Sequence, residues 1–139
     1  MENLRLRISC KLIGYAIMNR DLHKVVSEIY PFTLMFSADA KKIEKVFGMD
    51  DQDHGDGDYG GFCSTGLVDG CLVVAIYVNI DDDGAINFSD LAHEVYHAVM
   101  HVCTYCNLKP CHNNDEQGAY LTSWIFKWCV DSARKEKAN

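Results

Sequence analysis

The sequence predicts an α+β fold in which a small, mostly antiparallel β-sheet packs against helices, and three observations carry that expectation. Two β-rich runs, "FCSTGLV" and "CLVVAIYVNI", flank the dipeptide Asp69-Gly70, a strong local hairpin signal because both turn residues tolerate positive φ. After them, "SDLAHEVYHAVMH" and "NNDEQGAYLTSWIFKWCV" repeat apolar residues every three or four positions, the period of amphipathic helices. Before them, shorter helical patterns occupy residues 19–29 and 38–47. At 139 residues the chain suits one hydrophobic core, so a single domain over residues 1–139 is expected.

Taken in order, "LRLRISCKLIGYAI" (residues 4–17) opens with alternation at Leu4, Leu6 and Ile8, which suggests a strand. From Asn19 to about Ile29, Leu22, Val25, Val26 and Ile29 recur at helical intervals, and Pro31 marks the end of an expected helix. Ser37 is placed to cap a second short helix, "ADAKKIEKVF", with Ile43, Val46 and Phe47 on one face and Gly48 as its stop. Residues 50–61, "DDQDHGDGDYGG", have loop composition. A calcium loop counted from Asp51 fails, because Asp56 stands where glycine is required and Phe62 where glutamate is required. An acidic loop near a binding cleft is expected instead.

The hairpin is expected at about residues 62–80. Its second strand is nearly all apolar, which points to a central position or to cover on both faces, although the run from Leu72 to Ile80 also offers a candidate edge for an extended peptide. "DDDG" at 81–84 ends it, Ser89 is placed to cap the following helix, and Asp90 in the first turn complements the helix dipole. For the last helix, Asn113 or Asn114 can cap, Asp115 and Glu116 open it, and Ala119, Tyr120, Trp124, Ile125 and Trp128 form its apolar stripe. Trp124 and Trp128, one turn apart, read as core or an oligomer face, and the oligomeric state stays open.

Composition excludes several classes of function. A net charge of −7 and a pI near 5.2 argue against general nucleic-acid binding. Lys41, Lys42 and Lys45 fit a solvated helix face. The longest apolar run, residues 71–78, is far short of a bilayer span, and the N-terminus has no secretory pattern, so a cytoplasmic protein with no membrane contact is expected. Seven cysteines cannot pair completely, and in a cytoplasmic setting they read as free thiols or metal ligands. Cys10, Cys63, Cys71 and Cys129 fit small core positions.

The segment that carries chemistry is "LAHEVYHAVMH". His93 and His97 are one helical turn apart, about 6 Å of rise, so both imidazoles can face a single ion. Glu94 lies about 100° around from His93, where it can reach water beside the ion without binding the metal. His101 is a further turn away, too distant for three histidines to close around one zinc with bonds near 2.1 Å. A third ligand must come from elsewhere. Glu116, nineteen positions after His97 at the start of the next helix, leads, and Asp115 and His112 are alternatives. With Glu116 as ligand, Asp115 is placed to hold one histidine in the right tautomer. An oxyanion donor is also needed, and His112, His101, Tyr120 and Tyr96 are candidates, none singled out by spacing. A second zinc at Cys103, Cys106, Cys111 and His112 is a competing expectation, opposed by the very small loop it requires and by Pro110. The alternative is that Cys103 continues the helix's buried face and Cys106 and Cys111 are free thiols.

Together, "LAHEVYHAVMH" and "NNDEQGAYL" resemble the gluzincins, zincin-type metallopeptidases with a glutamate as third ligand, and more closely the small zincin-like proteins of tailed bacteriophages. There a Gly-rich hairpin precedes the HExxH helix and an "NDE..AYL" helix follows. The resemblance spans roughly residues 60–130. It implies one zinc ion on His93, His97 and Glu116, with Glu94 as general base. It also implies a cytoplasmic, phage-encoded peptidase or related hydrolase acting on a host or phage protein. The contrasting expectation is a non-catalytic protein that uses the same scaffold to inhibit a host defence factor. A third is a virion or assembly factor in which zinc only stabilises the fold.

Overall fold

The computed structural model describes residues 22–47, 60–68 and 70–138. The expected strand at 4–17 and nearly all of the acidic loop lie outside them. Strands β1 (His23–Val26), β2 (Phe32–Ser37), β3 (Gly61–Val68) and β4 (Cys71–Val78) form one sheet in the order β1-β2-β4-β3. β1 and β2 are antiparallel, β2 and β4 parallel, and β4 and β3 antiparallel. Helices α1 (Ala40–Val46), α2 (Phe88–Tyr105) and α3 (Glu116–Ala138) complete an α+β fold.

The hairpin forms where the Asp-Gly signal puts it, with Gly70 at φ 81° in the left-handed region that its missing Cβ permits. Of its two strands, β4 is interior. Seven of its eight residues are buried, and it pairs with β2 on one side and β3 on the other. Its unbroken apolar run reflects cover on both faces, and the edge role passes to β3.

The helix expected from Asn19 to Ile29 is not formed over its described part, residues 22–29. Residues 23–26 are strand β1, joined to β2 by a short loop in which Ser27 N–H donates to the Phe32 carbonyl at 3.0 Å. A helix would have gathered the four apolar residues on one face. Here Leu22 packs with Met35 and Ile43 on one side of the sheet, Val25 packs on the other side, and Val26 and Ile29 are exposed. What outweighs the local helical pattern is a non-local partner: β2 is buried at all six positions, and its backbone groups require neighbours. Among the described residues, one helix, α1, precedes the hairpin. Ser37 ends β2, and the cap of α1 is Asp39, whose Oδ1 accepts from Lys41 N–H at 3.0 Å.

Two apolar layers result. Phe32, Leu34 and Phe36 of β2 and Val74, Ile76 and Val78 of β4 face α2 and α3, meeting Leu91, Val95, Ala98, Leu121 and Ile125. Met35, Val73 and Ala75 face the other way, against Ile43 and Val46 of α1. Trp124 and Trp128 are half-buried parts of the core, and Trp124 meets Phe32 edge-on with centroids 6.0 Å apart. Cys71 and Cys129 are buried, as expected. Among the described residues, no helix is long and apolar enough to cross a membrane.

Candidate metal centre

α2 begins one residue before Ser89. Its cap is Asn87, whose side-chain oxygen accepts from Ser89 N–H at 2.9 Å and Asp90 N–H at 3.2 Å. The carboxylate of Asp90 occupies the first turn, where unpaired N–H groups favour negative charge. The helix buries Leu91, Val95, Ala98, Val99, Val102 and Cys103 against the sheet and α3, and this leaves His93 and His97 on the outer face.

There the two imidazoles converge. Their Nε2 atoms are 3.1 Å apart and the ring centroids 4.8 Å apart. Two ligands of a tetrahedral zinc with Zn–N bonds of about 2.0–2.1 Å stand about 3.3 Å from each other, so this donor pair fits the ion after a small adjustment. Glu94 turns to the opposite side of His97, towards the start of β3, and is buried to 7% exposure. Burial pushes its carboxyl up, the His93 and His97 imidazoles pull it down, and Asp90 pushes it up again. A carboxylate held in this way suits a proton acceptor.

The room for Glu94 comes from two glycines. A Cβ at Gly60 would collide with the Asp90 carboxylate, and one at Gly61 would stand 3.1 Å from Glu94 Cγ. Spacing within the helix gave no sign of this contact. Its signal was present nonetheless, as a Gly-Gly pair ending the acidic loop just before a strand.

Among the described residues, β3 also contributes an unpaired edge. Asn79 N–H donates to the Gly60 carbonyl at 2.9 Å, which makes Gly60 and Asn79 a hydrogen-bonded pair. By alternation, the backbone groups of Gly61, Cys63, Thr65 and Leu67 turn away from β4. No other described strand pairs with them.

The remaining candidates are spread out. Glu116 opens α3 and is exposed, and the Asp115 carbonyl accepts from Ala119 N–H at 2.9 Å just before it, so Asp115 takes the cap position expected of Asn113 or Asn114. His112 is exposed in a turn closed between Cys111 and Asn114, and His101 is exposed one turn beyond His97. Tyr120 lines a cavity of about 230 Å³ with Val25, Ser27, Ile29 and Trp124, on the β1 side of α3. Tyr96 is 64% exposed and its ring lies 6.4 Å from that of His97. Cys103 continues the buried face of α2, Cys106 is half-buried and Cys111 is exposed. Among the described residues, no three His, Cys, Asp or Glu side chains gather in a way that could hold a metal ion. Compared with protein-family models, curated proteins and solved structures, the chain matches none.

Proposed function

We propose that the protein is a zinc-dependent hydrolase of peptide bonds, with His93 and His97 as two ligands, Glu116 as the third, and Glu94 as general base. The observation that carries this reading is the 3.1 Å approach of the two Nε2 atoms on a helix whose intervening glutamate is buried beside them. When bound, zinc would supply a Lewis acid that acidifies water and polarises a carbonyl. The chain's own contribution is positional. His93 and His97 present Nε2 from one rigid element, and Glu94, backed by Gly61, accepts the proton of the attacking water and returns it to the leaving amine.

Glu116 is favoured by its height along the helix pair. Phe88 and Phe126 are in ring contact at 6.0 Å. His97 lies about 14 Å beyond Phe88 along α2, and Glu116 about 15 Å before Phe126 along α3, so the two are nearly level. The open edge of β3 beside Glu94 suits an extended peptide, which would add as a strand. The resemblance to phage proteins makes a host or phage protein in the host cytoplasm the expected substrate.

Elemental analysis tests the metal first: about one zinc per chain is expected for wild type, and clearly less for His97→Ala. Digestion of a proteome-derived peptide library, read by mass spectrometry, tests the chemistry. Glu94→Gln is expected to keep zinc and lose cleavage by at least about a hundredfold. A wild type without zinc, or a Glu94→Gln variant that cleaves normally, would overturn the proposal.

A further inference from the structure

We infer that β3 is the contact strand of a homodimer, in which two copies of this chain pair their β3 strands antiparallel about a two-fold axis at Ser64 and join their sheets into one. The inference stands apart from the hydrolase reading, since neither metal nor Glu94 takes part in it.

The two edges of the described sheet differ in how they are defended. β1 is four residues long and carries His23 and Lys24, and a short strand with a charged side chain discourages the addition of another. β3 is eight residues long and has no charged residue and no proline from Gly61 to Val68. In a chain with net charge −7, copies repel one another in general, and β3 offers a neutral line along which they can meet. Its outward backbone groups, those of Gly61, Cys63, Thr65 and Leu67, are taken by no other described strand.

Register points to a second copy as the occupant. In an antiparallel pair centred on Ser64, Gly61 of one chain lies opposite Leu67 of the other, and Cys63 opposite Thr65. These are the hydrogen-bonded positions, so every outward N–H and C=O of β3 gains a partner. Any shift leaves Gly61 or Leu67 outside the pairing. The same register also sorts side chains by size. Leu67, 64% exposed in one chain, is laid against Gly61 of the other. Phe62, whose ring meets that of Tyr77 at 5.1 Å within its own chain, stands opposite Gly66 of the other. Each glycine thus faces a large apolar side chain, a pairing that covers glycine in a sheet. An arbitrary peptide would satisfy the backbone without this alternation of size. In the hydrolase reading an extended peptide adds to the same edge, so peptide and second copy exclude each other.

Sedimentation equilibrium, with and without EDTA, tests the pairing. Wild type at about 100 μM is expected at twice the 15.7 kDa chain mass in both conditions. Leu67→Lys puts a charge on an exposed edge position and is expected to weaken the dimer at least about tenfold. Thr65→Pro removes an N–H that β4 does not use, so circular dichroism should show an intact fold while the dimer is lost. Should Thr65→Pro unfold, Leu67→Lys decides. Ser64 faces its copy across the axis in a non-hydrogen-bonded pair, with Cα atoms about 4.5 Å apart and within disulfide reach. Air with copper phenanthroline is therefore expected to link Ser64→Cys chains at that position, read by peptide mass spectrometry. A wild type that is monomeric at about 100 μM overturns the inference. A dimer that Leu67→Lys leaves unchanged, or that Ser64→Cys does not link at residue 64, overturns it equally. Zinc content and cleavage, by which the hydrolase reading is judged, enter none of these outcomes.

Discussion

Gly61 lies against Glu94 so closely that a Cβ on the glycine would stand 3.1 Å from Glu94 Cγ and 2.6 Å from the carbonyl oxygen of Tyr77. The second contact is the harder one to relieve, because a backbone oxygen of an interior strand cannot rotate away as a side chain can. The edge strand and the buried glutamate are therefore coupled through a position that only glycine fits.

Gly61→Ala is accordingly expected to destabilise the fold by about 1–3 kcal/mol, read as a lower urea midpoint. Its cleavage rate should fall further than stability explains, since relief of the contact moves Glu94. Gly66→Ala is the control. Its Cβ would meet only the Phe47 ring, at 3.0 Å, and that side chain can yield. Equal losses in the two variants would refute the coupling.

The thiols should differ sharply in reactivity. Burial pushes Cys63 up to about 12, helped by the nearby Glu94 carboxylate, and it pushes Cys129 up as well. Cys111 is exposed. With iodoacetamide at pH 8 followed by peptide mass spectrometry, Cys111 should be modified first among the described cysteines. Cys63 and Cys129 should be modified only when the chain unfolds. Early labelling of Cys63 in the folded protein would contradict its packing beneath the site.

Glu136 gives a pH-dependent expectation. Its carboxylate accepts from Ala38 N–H at 3.2 Å and lies 3.4 Å from His23 Nε2, tying the end of α3 to the first two strands. Burial pushes its carboxyl up, while the Ala38 N–H, His23 and Lys42 pull it down and Asp39 raises it, with a net rise. A carboxyl raised by folding adds stability below its unfolded value, and that contribution is lost as pH rises through the folded one. Ionised Glu136 thus opposes folding at neutral pH. Glu136→Gln keeps an acceptor for Ala38, so its urea midpoint should exceed that of wild type at pH 7 and converge with it near pH 4. A variant less stable at pH 7 would show that the charged hydrogen bonds outweigh burial.

The sequence alone determined the features in which chemistry and periodicity are local. The β3–β4 hairpin follows from a turn dipeptide between two apolar runs. α2 and α3 follow from their apolar stripes, and the approach of His93 and His97 follows from one turn of helix. Only the tertiary structure decided what depends on partners distant in sequence. Leu22, Val25, Val26 and Ile29 carry a helical spacing, yet 23–26 is strand because β2 needs a neighbour for its buried backbone. The interior place of β4 was legible in its unbroken apolar run, but that β2 is its parallel neighbour and that β3, among the described strands, takes the edge was not. Likewise, the closeness of Gly61 to Glu94 and the place of Tyr120 in the cavity lined by Val25 and Ile29 are set by how the sheet and helices pack. Local bonding selects the elements; the burial of backbone and apolar surface selects their neighbours.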